Sequence, residues 1–223
     1  MNPQHLARLF QIASPALPVG AFSYSQGLEW AVEAGTVHDA QSAGAWIADV
    51  LALSMESFEA PLWWRLYHAW AAGDAAALAL WNAEFCAARE TGELLAETCQ
   101  MGHSAARLAR DLGIAGAERM EDFRPVTFPL AHSFLAHAWR LPPRDALAAY
   151  VWSWIENQVL AAVKAVPLGQ TEAQQLLFRL GAEVDAVVER ASIVTDNDLS
   201  NFAPGFAIAS SRHEAQYSRL FRS

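Results

Sequence analysis

Few polar side chains in this chain are spaced for chemistry. Cys99 and His103 stand one helical turn apart, so a thiolate and an imidazole could share a metal ion. Two ligands fall short of a closed site, and a packed thiol beside a hydrogen-bonded imidazole explains the same pattern. The run Gly102-His103-Ser104-Ala105-Ala106 is one residue short of a G-x-S-x-G nucleophile elbow. An elbow needs a strand before it, whereas Leu94–Met101 reads as helix, so Ser104 is expected on a helix surface. Glu90, Glu93 and Glu97 share a face without the Glu-x-x-His elements of a di-metal bundle. With Arg89 able to pair with Glu93, they read as a solvated charged face. Glu29 and Glu33 are one turn apart beside Ser23 and Tyr24, an acidic patch better suited to a partner's basic groups than to acid–base catalysis. His132 and His137 are five apart, nearly opposite on a helix, and make no ligand pair. Lys164, the single lysine, lies in Ala-Val-Lys-Ala inside a helix, which excludes a P-loop. No catalytic constellation emerges, and the residues argue for a protein that binds other proteins.

The elements that carry these residues are helical. Leu147, Val151, Trp154, Ile155, Ala162 and Val166 recur at three- and four-residue steps, and Leu176, Leu177, Leu180, Val184 and Val187 repeat the pattern. Helices are expected over roughly 3–12, 23–34, 39–72, 74–112, 129–141 and 143–166, with a break or kink at Pro61 and a further break near Gly92. Gly35 and Gly113 read as helix stops, and Pro143 as a first-turn residue. Arg124–Phe128 is the best strand candidate. Gln158 sits within the apolar face of 143–166, where a local hydrogen bond, a second chain or a wet passage would each satisfy its amide. Between Ser14 and Trp30, two prolines and two glycines interrupt the chain and predict a stiff loop that feeds a helix.

The 223 residues suffice for one all-α domain with a large core, here assigned to 1–203, followed by a tail over 204–223. The last twelve residues carry three arginines against one glutamate, on a chain whose net charge is −9. Such an end folds back, stays loose or docks on a partner. Overall acidity argues against a nucleic-acid surface, and no run approaches the length of about 18 apolar residues that spans a bilayer. His5, Arg8 and Gln11 interrupt any leader-like apolar stretch, and the two cysteines form no disulfide framework, so a cytoplasmic protein with reduced thiols is expected.

Five segments stand out in order along nearly the whole length: SPALPVGAFSYSQGLEWAVEAG, RETGELLAETCQMGHSAARL with its Met101-Gly102, VPLGQ at 166–170, SNFAPG, and the ending HEAQYSRLFRS. Taken together they resemble the UreF family of urease accessory proteins. The resemblance implies a non-catalytic, all-helical homodimer without a resident cofactor. Such a protein would bridge UreD (UreH) and the GTPase UreG for GTP-dependent nickel insertion into apo-urease, and regulate the GTPase. By motif, Gly20, Ser23, Tyr24, Gly27 and Glu29 are implied on the GTPase-facing surface. Lys164, Pro167, Gly169 and Gln170 are implied either there or in the dimer region. Arg212, His213, Gln216, Tyr217, Arg219, Leu220, Phe221 and Arg222 are implied against UreD/UreH. The alternatives are a direct nickel carrier using Cys99, His103 and His213, and a small helical hydrolase using Ser104.

Overall fold

A 23-residue helix, α8 (Pro143–Ala165), runs through the middle of the computed structural model, which describes residues 2–223. Its apolar stripe is wide because it is enclosed from several sides. Leu147, Tyr150, Val151, Ile155, Val159 and Ala162 are all buried. Against it pack α1 (Pro3–Ala13), α2 (Leu28–Glu33), α3 (Ala40–Val50), α4 (Ala60–Ala72), α7 (Phe128–Ala138), α9 (Gln170–Gly181) and α10 (Val184–Ile193). On the far side, α5 (Ala75–Ala87) and α6 (Gly92–Asp111) join α4 and α7 in a second layer, and α11 (Pro204–Glu214) lies on α2 and α6. One apolar cluster runs from Leu9 to Phe221, so the chain forms a single all-α domain. Among the described residues there is no strand, and no helix is long and apolar enough to cross a membrane.

Three expectations are corrected, and one is met. The helix expected from Ser23 begins only at Leu28, because Gln26 and Gly27 take left-handed φ of 53° and 79° and turn the chain. Of the break or kink expected at Pro61, the break does not occur. A π-helical segment, Leu51–Glu59, joins α3 to α4, and Pro61 falls in the first turn after the register returns to α. Pro61 has no N–H for the Ser57 carbonyl four residues back, and the Ser200 N–H donates to that carbonyl instead, at 3.1 Å. The break expected near Gly92 is present: α6 starts there, and the Thr91 hydroxyl caps it by accepting from Leu94 N–H. Finally, Arg124–Phe128 is a connector rather than a strand. Its polar groups are taken up by side chains: Asn82 Nδ2 donates to the Pro125 carbonyl at 2.7 Å, and Thr127 donates to Asn82 Oδ1 at 2.8 Å. α11 was not expected at all; the Pro204 at its start is its one local signal.

Gly102 explains how that connector meets α6. A Cβ there would lie 2.2 Å from the Val126 carbonyl oxygen and 2.5 Å from the Thr127 carbonyl carbon. Backbone cannot yield as a flexible side chain can, so Gly102→Ala is expected to force α6 away from α7 and to cost about 2–3 kcal/mol, read as a lowered denaturation midpoint. His132 is enclosed by Trp63, Phe128 and Tyr150, and its Nδ1 accepts from Trp63 Nε1 at 3.0 Å. Burial pushes its pKa down to about 3. The folded protein thus keeps a neutral imidazole while the unfolded chain takes up a proton below its ordinary 6.5. Its contribution to stability is complete above that value and is lost as pH falls toward 3. Wild type is expected to lose about 3 kcal/mol from this group between pH 7 and about pH 4, and His132→Gln, which keeps an acceptor for Trp63, should flatten that slope in denaturation measured across pH.

Candidate functional site

The two ends of the chain, implied on different partner faces, lie against each other. The turn that delays α2 brings Ser25 to residue 223. Ser25 donates both its N–H, at 2.8 Å, and its hydroxyl, at 2.7 Å, to the Ser223 carbonyl. Arg222 N–H donates to the Ser23 carbonyl at 2.8 Å. Glu29, in the first turn of α2, accepts from Leu220 N–H at 2.6 Å and from Phe221 N–H at 3.0 Å, and its Oε2 lies 3.3 Å from His213 Nε2. His213 Nδ1 in turn lies 2.7 Å from a Glu93 oxygen, while the other Glu93 oxygen accepts from Arg219. Glu214 caps α6 by accepting from Glu93 N–H at 3.1 Å.

Five of the motif residues lie inside this latch. Tyr24, Gly27, Glu29, His213 and Phe221 are buried, not presented on a surface. The cause is mutual: each satisfies a polar group or fills space left by the other end of the chain. Gly27 is required twice over, since its φ is left-handed and a Cβ would sit 2.9 Å from Ser210 N on α11. Gly20 and Ser23 are half-buried at the turn. The residues left outward are Lys164, Pro167, Gly169, Gln170, Arg212, Tyr217, Arg219, Leu220 and Arg222, with Gln216 half-buried. Tyr217 is fully exposed and Leu220 is 72% exposed, although both lie in a loop fastened on either side by Glu93 and Glu29. Lys164 joins the opening segment to the tail, its ammonium 6.0 Å from the Phe22 ring and 5.6 Å from the Phe221 ring.

Sequence reasoning missed Glu97, Ser25 and Ser223. Glu97, expected on a solvated face, is buried on α6, accepting from Ser223 Oγ at 2.6 Å and from Gln26 Nε2 at 2.7 Å. Its position beside Leu94, Thr98 and Met101 on one helical stripe was the available signal. Arg89 pairs with Glu59 of the π segment, 3.4 Å away, rather than with Glu93, and Tyr150 donates to the same carboxylate. Gln158 is buried on α8 with no partner for its Nε2 among the described residues. Burial pushes the Cys86 thiol up to about 11 and raises that of Cys99, so neither is a ready thiolate. Ser104 lies half-buried within α6, with no turn to project it as a nucleophile. Among the described residues no three His, Cys, Asp or Glu side chains are placed to hold a metal ion. The arrangement is built to hold a segment in place.

Desolvation, opposed by the Ser223 and Gln26 hydrogen bonds, pushes the Glu97 carboxyl up to about 7. A raised carboxyl pKa means the folded state holds its proton longer than the unfolded chain. Stability from this group is therefore complete below the ordinary 4.5 and is lost as pH rises through 7. Glu97→Gln keeps an acceptor for Gln26 and a donor for the Ser223 hydroxyl without the charge. It is expected to be more stable than wild type by about 1–3 kcal/mol at about pH 8, the two converging toward pH 5, in chemical denaturation.

The likeness to known proteins is close. The UreF family model matches residues 37–181. The urease accessory protein UreF of Azoarcus sp. (strain BH72) is 57% identical over 223 residues, covering 98% of this chain and 95% of the relative. That of Dechloromonas aromatica (strain RCB) is 53% identical over 222 residues, covering 98% and 97%. A longer relative, the bifunctional urease accessory protein UreEF of Bordetella bronchiseptica, is 51% identical over 229 residues, covering all of this chain and 53% of that protein. These relatives are named for an accessory role toward urease and not for a catalytic activity of their own, and with identity at this level over the full length the chain belongs to the UreF family of urease accessory proteins.

Proposed function

We propose that this protein is a non-catalytic scaffold in urease maturation, bridging UreD/UreH and the GTPase UreG during GTP-dependent nickel insertion into apo-urease and regulating that GTPase. The observation that carries the reading is the fastened tail. Glu29 and Glu93 hold residues 219–221 by backbone and side-chain bonds, so Tyr217 and Leu220 stand in solvent on a loop of restricted freedom. Aromatic and aliphatic anchors held in advance lose less entropy on docking than those of a loose tail. Arg212, Arg219 and Arg222 around them offer forks for a partner's carboxylates. This surface suits UreD/UreH. The exposed Phe22, Lys164, Pro167, Gly169 and Gln170 form the remaining candidate surface, for UreG or for a second copy in a homodimer. The fused UreEF relative supports work within an assembly, since two accessory modules share one polypeptide there.

Tyr217 is fully exposed and Leu220 mostly so in the free protein, so replacing both by alanine separates binding from folding. Tyr217→Ala with Leu220→Ala is expected to change stability by less than about 0.5 kcal/mol, while weakening capture of UreD/UreH at least about tenfold in co-purification and titration. Undiminished capture by a folded double variant would remove the tail from the interface. Urease activation with and without the protein, in the presence of UreD/UreH, UreG, GTP and nickel, tests the scaffold role itself.

A further inference from the structure

The His213 side chain is fully buried, and each of its ring nitrogens faces a carboxylate. Nδ1 lies 2.7 Å from Glu93 Oε2 on α6, and Nε2 lies 3.3 Å from Glu29 Oε2 on α2. Neither carboxyl has a proton to lend. Both Glu29 oxygens accept backbone N–H groups, from Leu220 and Phe221, and the second Glu93 oxygen accepts from Arg219. An ionised carboxylate only accepts, whereas a neutral imidazole carries one N–H and one lone pair. A neutral His213 would therefore aim its lone pair at a buried carboxylate oxygen. Only the doubly protonated ring satisfies both sides. Its place in the last turn of α11 favours the same cation. The other charges around it are Glu214 beside it on α11, Arg219 of the tail, and Glu97, one turn beyond Glu93 on α6 and facing Ser223. Apart from Arg219 they are negative, so a positive ring also balances the local charge.

We propose that His213 is a proton-operated clasp: the imidazolium, held between Glu29 and Glu93, keeps the tail shut, and loss of one proton as pH rises frees residues 215–223 from α2 and α6. The closed latch then holds one proton more than the open one. Below about pH 6.5 an exposed imidazole is protonated as well, so closure is indifferent to pH there. Above it, closure weakens by up to about tenfold per pH unit, the limit for a single proton. Opening takes the Glu29 acceptor away from Leu220 and Phe221 N–H, which makes those two amides reporters of the clasp. The clasp is a property of the free chain and does not rest on the scaffold role.

The test reads hydrogen-exchange protection of the Leu220 and Phe221 amides in the full chain from about pH 6 to about pH 8.5, each rate referred to the intrinsic one at that pH. It is run in a Glu97→Gln background, because the Glu97 carboxyl, pushed up to about 7, ionises over the same range. Protection is expected to be level up to about pH 6.5 and to fall at least about tenfold by about pH 8.5. While the amides are protected, both ring nitrogens of His213 should show the ¹⁵N shifts of an imidazolium. Two further variants separate the clasp from simple packing. His213→Gln offers one donor and one acceptor at every pH, and should give protection that is low and flat. Glu93→Gln supplies a donor of its own to Nδ1, so a ring with one proton satisfies both neighbours; protection should persist and its decline with pH should flatten. Protection independent of pH in the Glu97→Gln chain would overturn the proposal. So would a singly protonated ring in the closed state at about pH 6.5, full protection in a folded His213→Gln chain, or an undiminished slope in Glu93→Gln.

Discussion

The structure turns on one carboxylate. Glu29 stands in the first turn of a six-residue helix and accepts two successive backbone N–H groups from the far end of the chain. Those donors belong to a segment without regular structure, and they would be stranded if Phe221 entered the core without them. A charged acceptor at a helix start meets them, which strengthens the bonds and suits the local dipole. The arrangement around it follows. His213 is wedged between Glu29 and Glu93, α11 closes onto Gly27, and the loop carrying Tyr217 and Leu220 is braced from both flanks.

Beneath the latch is a more polar interior than a helical bundle needs. The π segment feeds Glu59 inward, where it meets Arg89 and Tyr150, while Glu97 ties α6 to the opening turn and to Ser223. Replacing such a network by apolar groups would often be neutral or stabilising, so stability alone is a poor reason for it. Glu97 shows this directly, since its raised pKa marks a charge that folding disfavours at neutral pH. A polar seam of this kind selects one arrangement of the two chain ends, because partial pairing leaves buried groups unsatisfied.

Much of the helical frame could be read from the chain. The stripes on α8 and α9 and the stop signals at Gly35 and Gly113 are set by local rules that act within a turn or two. Pro61 shows where such rules fail. Its missing donor predicts a break or kink, but the helix runs on, and Ser200, remote in sequence, donates to the carbonyl that Pro61 leaves free. The connector at 124–128 fails the same way, since Asn82 satisfies backbone groups that a strand would have paired. The glutamates of α6 divided for a similar reason. Glu93 and Glu97 share a face, but only the three-dimensional arrangement tells which end of that face lies under the tail.

By itself the sequence determined the all-helical class and the family, through its opening, VPLGQ and terminal motifs. These depend on periodicity and on residue type, which a linear text records in full. Only the tertiary structure decided that the opening segment and the tail form one body, that Glu29 and His213 look inward while Tyr217 and Leu220 look out, and that Arg89 pairs with Glu59 rather than with Glu93. The physical reason is that a buried polar group takes whichever partner the packing brings within about 3 Å, and that partner can lie almost two hundred residues away, as Phe221 lies from Glu29.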